Sequence, residues 1–152
     1  PAADRVRILR PGGVTAEMLS ELCAVDIDPA VTSEPPKGAK VMSPGMKYKH
    51  YSPKADVYII NAHGKAFADW CVSHAGEKTL ALSADTHEHG MFRCFGKDES
   101  EQAHRLFALL READDEGART VYVEMPSKDG IGLAVYNRLL RAAAFRVIEP
   151  DE

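Results

Sequence analysis

Cysteine is scarce and unpaired in this chain. Cys23, Cys71 and Cys94 are widely separated and no CxxC occurs. An odd, scattered set excludes a complete disulfide framework, a zinc ribbon and a thioredoxin-like pair. Reduced thiols of a cytoplasmic protein are the simplest reading. Long apolar runs are lacking too: nothing approaches the ~18–20 residues that cross a bilayer. No basic-then-apolar leader opens the sequence, so no membrane partner is expected. The start at Pro1 fits either methionine removal or a piece of something longer. Basic charge is short as well, with 19 Lys and Arg against 23 Asp and Glu and a net charge of -4. That is a poor balance for a duplex-DNA binder, which carries a basic field. GxSxG, HExxH and P-loop motifs are all absent, which leaves an independent hydrolase with little support.

What is present is globular. Hydrophobic residues make up 45% and charged residues 28% of 152 residues, the composition and length of about one domain. The charge is unevenly placed. Residues 37–54 carry five lysines, His50 and no acid, whereas residues 55–152 carry 11 basic against 17 acidic side chains. Pro29, Pro35, Pro36, Gly38, Pro44, Gly45 and Pro53 crowd the same region. Such density sustains neither a helix nor a central strand, so residues 24–54 read as an extended linker. Before it, Arg5–Ile8 alternates as a short strand, Pro11-Gly12-Gly13 turns, and Thr15 caps a helix expected to reach about Cys23. One strand and one helix cannot bury a core alone, so this piece wants a partner.

After the linker, strands and helices alternate. Strands are expected at Val57–Ile60, Thr79–Leu82, Met91–Phe95, Thr120–Val123 and Phe145–Ile148. Helices are expected over 64–75, from the Asp98/Glu101 capping box to Gly117, and from Ile131 to Ala144. The pattern predicts an α/β, Rossmann-like, three-layer domain with a mainly parallel sheet of about five strands, preceded by an extended linker.

Three stretches then match one family: Arg7-Ile-Leu-Arg-Pro-Gly-Gly-Val-Thr15, Ser43-Pro-Gly-Met-Lys-Tyr-Lys-His-Tyr-Ser-Pro53 and Gly130-Ile-Gly-Leu-Ala-Val-Tyr-Asn-Arg-Leu-Leu-Arg-Ala142. The middle one is the most specific, with two Pro, two Tyr, one His and one Gly in eleven residues. In this order they resemble the C-terminal part of the two-domain threonylcarbamoyl-AMP synthases, the long form of the YrdC-like family. The resemblance implies that 1–23 is the tail of a YrdC-like catalytic domain, 24–54 the interdomain linker and 55–152 a Rossmann-like C-terminal domain. It implies a parent enzyme, a nucleotidyltransferase, that makes threonylcarbamoyl-AMP from threonine, bicarbonate and ATP, with Mg, for tRNA modification. The ATP and threonine pocket of the family belongs mainly to the YrdC-like domain, partnered in cis or in trans. This chain alone is expected to be inactive and to hold no cofactor, with tRNA contacted only indirectly.

The candidate site residues follow. In an extended segment Tyr48 and His50 share one side and Lys47 and Tyr51 the other. Composition alone reads them as a solvated tether; the resemblance implies a lid whose lysine meets phosphate and whose rings contact the catalytic domain or its ligand. Arg10 either reaches a nucleotide phosphate or is an exposed turn residue. Ser127, Gly130 and Gly132 form a possible anion site at a helix start, against a tight turn with close helix packing. The first strand–helix turn holds one glycine, so a dinucleotide fingerprint is lacking. His87-Glu-His89 has chelate spacing but reads as a surface loop, and Arg138 and Arg141 as a solvated face. The competing hypothesis is a stand-alone doubly wound module that binds a nucleotide or a protein without catalysis.

Overall fold

The computed structural model describes residues 4–38 and 53–151. Three central strands start the fold: β3 (Asp56–Ile60), β4 (Thr79–Ser83) and β6 (Thr120–Glu124). Val57 stands opposite Val121, Ile59 opposite Val123, and Leu80 opposite Val121 from the other side. With β5 (Phe92–Cys94) and β7 (Val147–Ile148) they form one all-parallel sheet in the order β5-β4-β6-β3-β7. The expected fold class is therefore present, with five strands.

The two-residue period of the strands divides the core. Val57, Ile59, Leu80, Leu82, Val121 and Val123 face α3 (Glu99–Asp115) and α4 (Gly130–Ala142). Ile60 and Ala81 face α2 (Gly64–His74), which contributes Phe67 and Cys71. Each fully buried aliphatic side chain contributes about 1.5–3 kcal/mol relative to exposure, so layers this continuous hold the sheet between its helices. At the end of α4 the chain turns through two left-handed residues, Ala144 (φ 48) and Phe145 (φ 61). The last strand accordingly begins at Val147, two residues after the predicted Phe145.

A small lobe precedes this domain. Strand β1 (Arg5–Ile8) crosses through α1 (Ala16–Ser20) to β2 (Ala24–Ile27), which pairs parallel with β1 from Arg5↔Ala24 to Ile8↔Ile27. This corrects two expectations. The helix stops at Ser20, short of Cys23. The residues after it form a strand where extended linker was predicted to begin, because the β1 edge supplies the ladder that Ala24–Ile27 needs. Asp28 then caps a short 3-10 turn, Pro29–Val31, through a 3.0 Å bond from the Ala30 amide. Proline is tolerated at that first position because its lost amide would be unpaired there.

This turn docks on α4. Val31 is fully buried. Its carbonyl accepts a 2.7 Å bond from Asn137 Nδ2, and the Ala30 carbonyl accepts one of 3.2 Å from Arg141. Asn137 and Arg141 therefore serve the contact between turn and helix. Burial holds the Arg141 guanidinium below its ordinary pKa, so a solvated face was the wrong reading for it, while Arg138 is exposed.

Candidate functional site at the carboxyl edge of the sheet

Strands β3 and β6 are neighbours, yet the helices that follow them lie on opposite faces of the sheet. In open parallel sheets this switch point leaves a crevice beyond the strand ends. Glu124, the last residue of β6, sits in it and is only 6% exposed. Its Oε1 accepts the Gly64 amide at 2.9 Å, and its Oε2 accepts the Ser83 hydroxyl at 2.7 Å and the Ala84 amide at 2.8 Å. His63 Nδ1 stands 3.7 Å from Oε1. One carboxylate thus ties together the ends of β3, β4 and β6. A buried charge is tolerable when hydrogen-bonded in this way. On the far side Cys71 is buried, and that burial, with the Glu124 charge added, pushes its thiol up to about 12.

Ser83 is completely buried and spends its proton on Glu124. The 2.9 Å contact with His87 Nε2 then requires the imidazole proton on that nitrogen. With its oxygen completely buried the hydroxyl meets no substrate, so Ser83 is a structural tie to Glu124 and not a nucleophile. His87 is engaged with Ser83, the Met91 amide donates to His89 Nδ1 at 3.3 Å, and among the described residues no group of three or more His, Cys, Asp or Glu could hold a metal ion.

The three helix starts along this edge are closed by carboxylates of the chain itself. Gly64, at φ 52, turns its amide to Glu124. Asp98 Oδ1 accepts the Glu101 amide at 2.8 Å, and Glu101 returns a bond to the Lys97 amide. Glu17, from the small lobe, accepts the Gly130 amide at 3.1 Å. Its own backbone amide, then that of Gly130 and the Thr15 hydroxyl, hold its carboxyl below the usual range. The carboxylate therefore lies between the starts of α1 and α4, where both dipoles favour it.

The predicted site residues fall into three groups. Ser127, Gly130 and Gly132 do meet at the start of α4. The anion facing Gly130 is Glu17, and a Cβ on Gly132 would come 2.6 Å from the Ser127 carbonyl. Arg10 lies in the exposed turn after β1. Lys47, Tyr48, His50 and Tyr51 lie outside the described residues. Sequence reasoning missed Glu124, Ser83, Gln102 and Glu17. A signal existed for the first two: each directly ends an apolar strand, Thr-Val-Tyr-Val-Glu124 and Thr-Leu-Ala-Leu-Ser83, where a turn residue is expected.

A cavity of about 220 Å³ opens beside Glu124, between the starts of α3 and α4. A second, of about 530 Å³, lies along α3 beside Pro53, Phe107 and Arg111. No helix of the described residues is long and apolar enough to cross a membrane.

Comparison with known proteins adds the following. The family described as threonylcarbamoyl-AMP synthase, C-terminal domain, matches residues 14–144. A threonylcarbamoyl-AMP synthase of Pyrococcus abyssi is 30% identical over 93% of this chain and 43% of its own length. One of Schizosaccharomyces pombe is 32% identical over 90% of this chain and 39% of its own length. The crystal structure of P. abyssi Sua5 complexed with L-threonine superposes with a TM-score of 0.75 at 29% identity, covering 95% of this chain and 44% of that one. The chain thus spans less than half the length of these relatives.

Proposed function

Because the chain belongs to the threonylcarbamoyl-AMP synthase C-terminal domain family, we propose that it is the gating half of an L-threonylcarbamoyladenylate synthase. In this reading residues 1–23 close a YrdC-like catalytic domain, 24–54 connect the two domains, and 55–152 form the C-terminal domain. The threonine amine takes up bicarbonate as a carbamate, with loss of water. A carbamate oxygen then attacks the α-phosphorus of ATP, the bond to the β-phosphate breaks, and pyrophosphate leaves. The threonylcarbamoyl group goes on to tRNA through a partner complex, in the cytoplasm. In this reading ATP, Mg and threonine belong to the catalytic domain.

The chain's own part is positional. Lys47 offsets phosphate charge, Tyr48, His50 and Tyr51 close over the nucleotide, and Arg10 reaches a phosphate through its planar fork. One observation carries the reading: the small lobe is anchored yet uncovered. Glu17, Ala30 and Val31 fix it to α4. Its helix buries no residue, and Val14, Met18, Leu22 and Ile27 stay exposed, Leu22 at 85%. A lobe held firmly at one side with its apolar side chains in water has the form of a mount for a larger body. The additional length of the relatives is of a size to supply that body.

The test is reconstitution. This chain is mixed with a separately made YrdC-like domain, and threonine-dependent pyrophosphate release from ATP is followed. Restored release that is lost on combining Tyr48→Ala with His50→Ala supports gating. Release by the domain alone, indifferent to this chain and to those substitutions, rejects it.

A further inference from the structure

The small lobe is seated on α4 at two points of unequal strength. Asp28 joins the lobe rigidly to the 3-10 turn. Its amide donates to the Ile8 carbonyl at 2.9 Å, its Oδ1 accepts the Ala30 amide and its carbonyl the Val31 amide. Lobe and turn therefore move as one body. The turn is the stronger point: Val31 is fully buried, and Asn137 and Arg141 hold two of its carbonyls. The second point is Gly130, about two helical turns before Asn137, or about 10 Å at 1.5 Å per residue. There the attachment is slight, because β1, α1 and β2 bury no residue. Among the described residues, the bond from the Gly130 amide to Glu17 is the one hydrogen bond or ion pair that joins residues 4–27 to residues 53–151. Glu17 itself is exposed.

The start of α4 also has a carboxylate of its own in reserve. Asp129 is its N-cap residue, with extended backbone (φ -111, ψ 156), yet the Asp129 side chain makes no capping bond. Aspartate is a favoured N-cap residue, and its carboxylate ordinarily accepts the amide two or three positions on, here that of Ile131 or Gly132. Glu17 supplies the negative charge from the lobe instead. Two carboxylates at one helix start repel each other, so the two closures are alternatives. Departure of Glu17 then leaves α4 with a cap at hand, and the lobe is held by the turn.

We propose that Glu17 and Asp129 exchange at the start of α4. With Glu17 in place the lobe is latched against the helix. With Asp129 capping the helix, lobe and turn rock together about the Val31 socket. The exposed Val14, Met18, Leu22 and Ile27 travel with the lobe, so a body mounted on them turns relative to residues 55–152. The exchange needs only this chain and does not rest on the gating reading. A rigid lobe beside a successful reconstitution rejects the exchange and leaves gating standing.

The experiment measures residual dipolar couplings of the 15N-labelled full chain in an uncharged alignment medium. The amides of residues 5–27 and 56–148 should fit one alignment tensor in the unaltered chain. They should do so equally in Asp129→Ala, which lacks the competing cap. Glu17→Gln keeps the shape but removes the charge, which about halves the strength of the bond. The shared tensor is then lost, and the lobe fits a rigid-body tensor of its own, weaker than that of the domain. In the same variant the Ile131 or Gly132 amide resonance shifts as Asp129 caps it, and adding Asp129→Ala abolishes that shift. Exchange of the Val31, Thr32 and Ser33 amides stays as slow as before, because the socket holds. The proposal is overturned if Glu17→Gln retains the shared tensor, or if the Ile131 and Gly132 resonances behave alike with and without Asp129. It is equally overturned if the turn amides exchange faster, since the whole mount has then come off. Lobe couplings that fit no rigid body overturn it too, because the lobe is then unravelling rather than rocking.

Discussion

Removing the Asn137 side chain tests the junction between the small lobe and α4. Asn137 is 5% exposed, and its Nδ2 reaches the Val31 carbonyl at 2.7 Å. In Asn137→Ala that buried carbonyl loses its donor, a cost of about 1–3 kcal/mol. The cost falls on docking of the turn, because Val31 makes the apolar half of the same contact and is fully buried. Trimming Val31→Ala removes two methyl groups, about 1.6 kcal/mol by transfer alone. The two losses share one interface and should therefore be non-additive by at least about 0.5 kcal/mol. Amide hydrogen exchange is the direct assay. The Val31, Thr32 and Ser33 amides bond to Asp28 and Pro29 carbonyls within the turn. In Asn137→Ala their exchange should accelerate about 5- to 150-fold, which is 1–3 kcal/mol expressed as an opening equilibrium. Denaturant unfolding followed at Trp70, on the opposite face of the sheet, reports whether the domain itself is weakened. An acceleration below twofold at these three amides, or strictly additive losses in the double variant, would refute the claim that Asn137 and Val31 act as one clamp.

Two further predictions concern titratable groups. Cys71 has its thiol raised from 9.0 to about 12, so its neutral form is the one the fold favours. Its contribution is therefore fully present below pH 9 and lost as pH rises towards 12. A water-soluble disulfide reagent at pH 8 should modify Cys71 only on unfolding, and native reactivity matching that of the half-buried Cys23 and Cys94 would contradict the buried placement. Glu17 has the opposite sign. Its carboxyl is held low, so its tie to Gly130 persists above the ordinary value of 4.5 and is lost as pH falls below it. The Gly130 amide resonance should titrate with a midpoint below 4.5, and Glu17→Gln should abolish that titration.

Much of the fold was legible because its elements state themselves locally. Val57–Ile60, Thr79–Leu82 and Thr120–Val123 are apolar runs of strand length, and Asp98 with Glu101 marks the start of α3 in four letters. What was not legible depends on distant partners. Ala24–Ile27 reads as ordinary chain until β1 lies beside it. Asn137 looks like a polar interruption of an apolar helix until Val31, 106 residues earlier, arrives at its side chain. The site divides in the same way. Gly130 was found as a helix start, a local signal, but its anion comes from Glu17, 113 residues away. Glu124 was missed because its one local signal, an acid ending an apolar strand, does not name the amides it meets. Its role exists only once β3 and β4 end next to it.

The closed helix starts also bear on what this sheet does. A doubly wound fold that binds phosphate does so with free amides at the helix start beyond a strand, helped by the dipole. Here the Gly64 amide is given to Glu124, the Glu101 amide to Asp98 and the Gly130 amide to Glu17. An incoming phosphate would have to displace a carboxylate already placed there and then remain near its charge. At 4 Å two unit charges repel by about 4 kcal/mol at an effective dielectric of 20. This weighs against a stand-alone nucleotide-binding module and for a domain that has turned its anion sites inward. In one of the three, Glu17 belongs to the small lobe, so that closure doubles as a tie between lobe and domain. The same chemistry that elsewhere in such folds holds a nucleotide here holds two parts of the chain together.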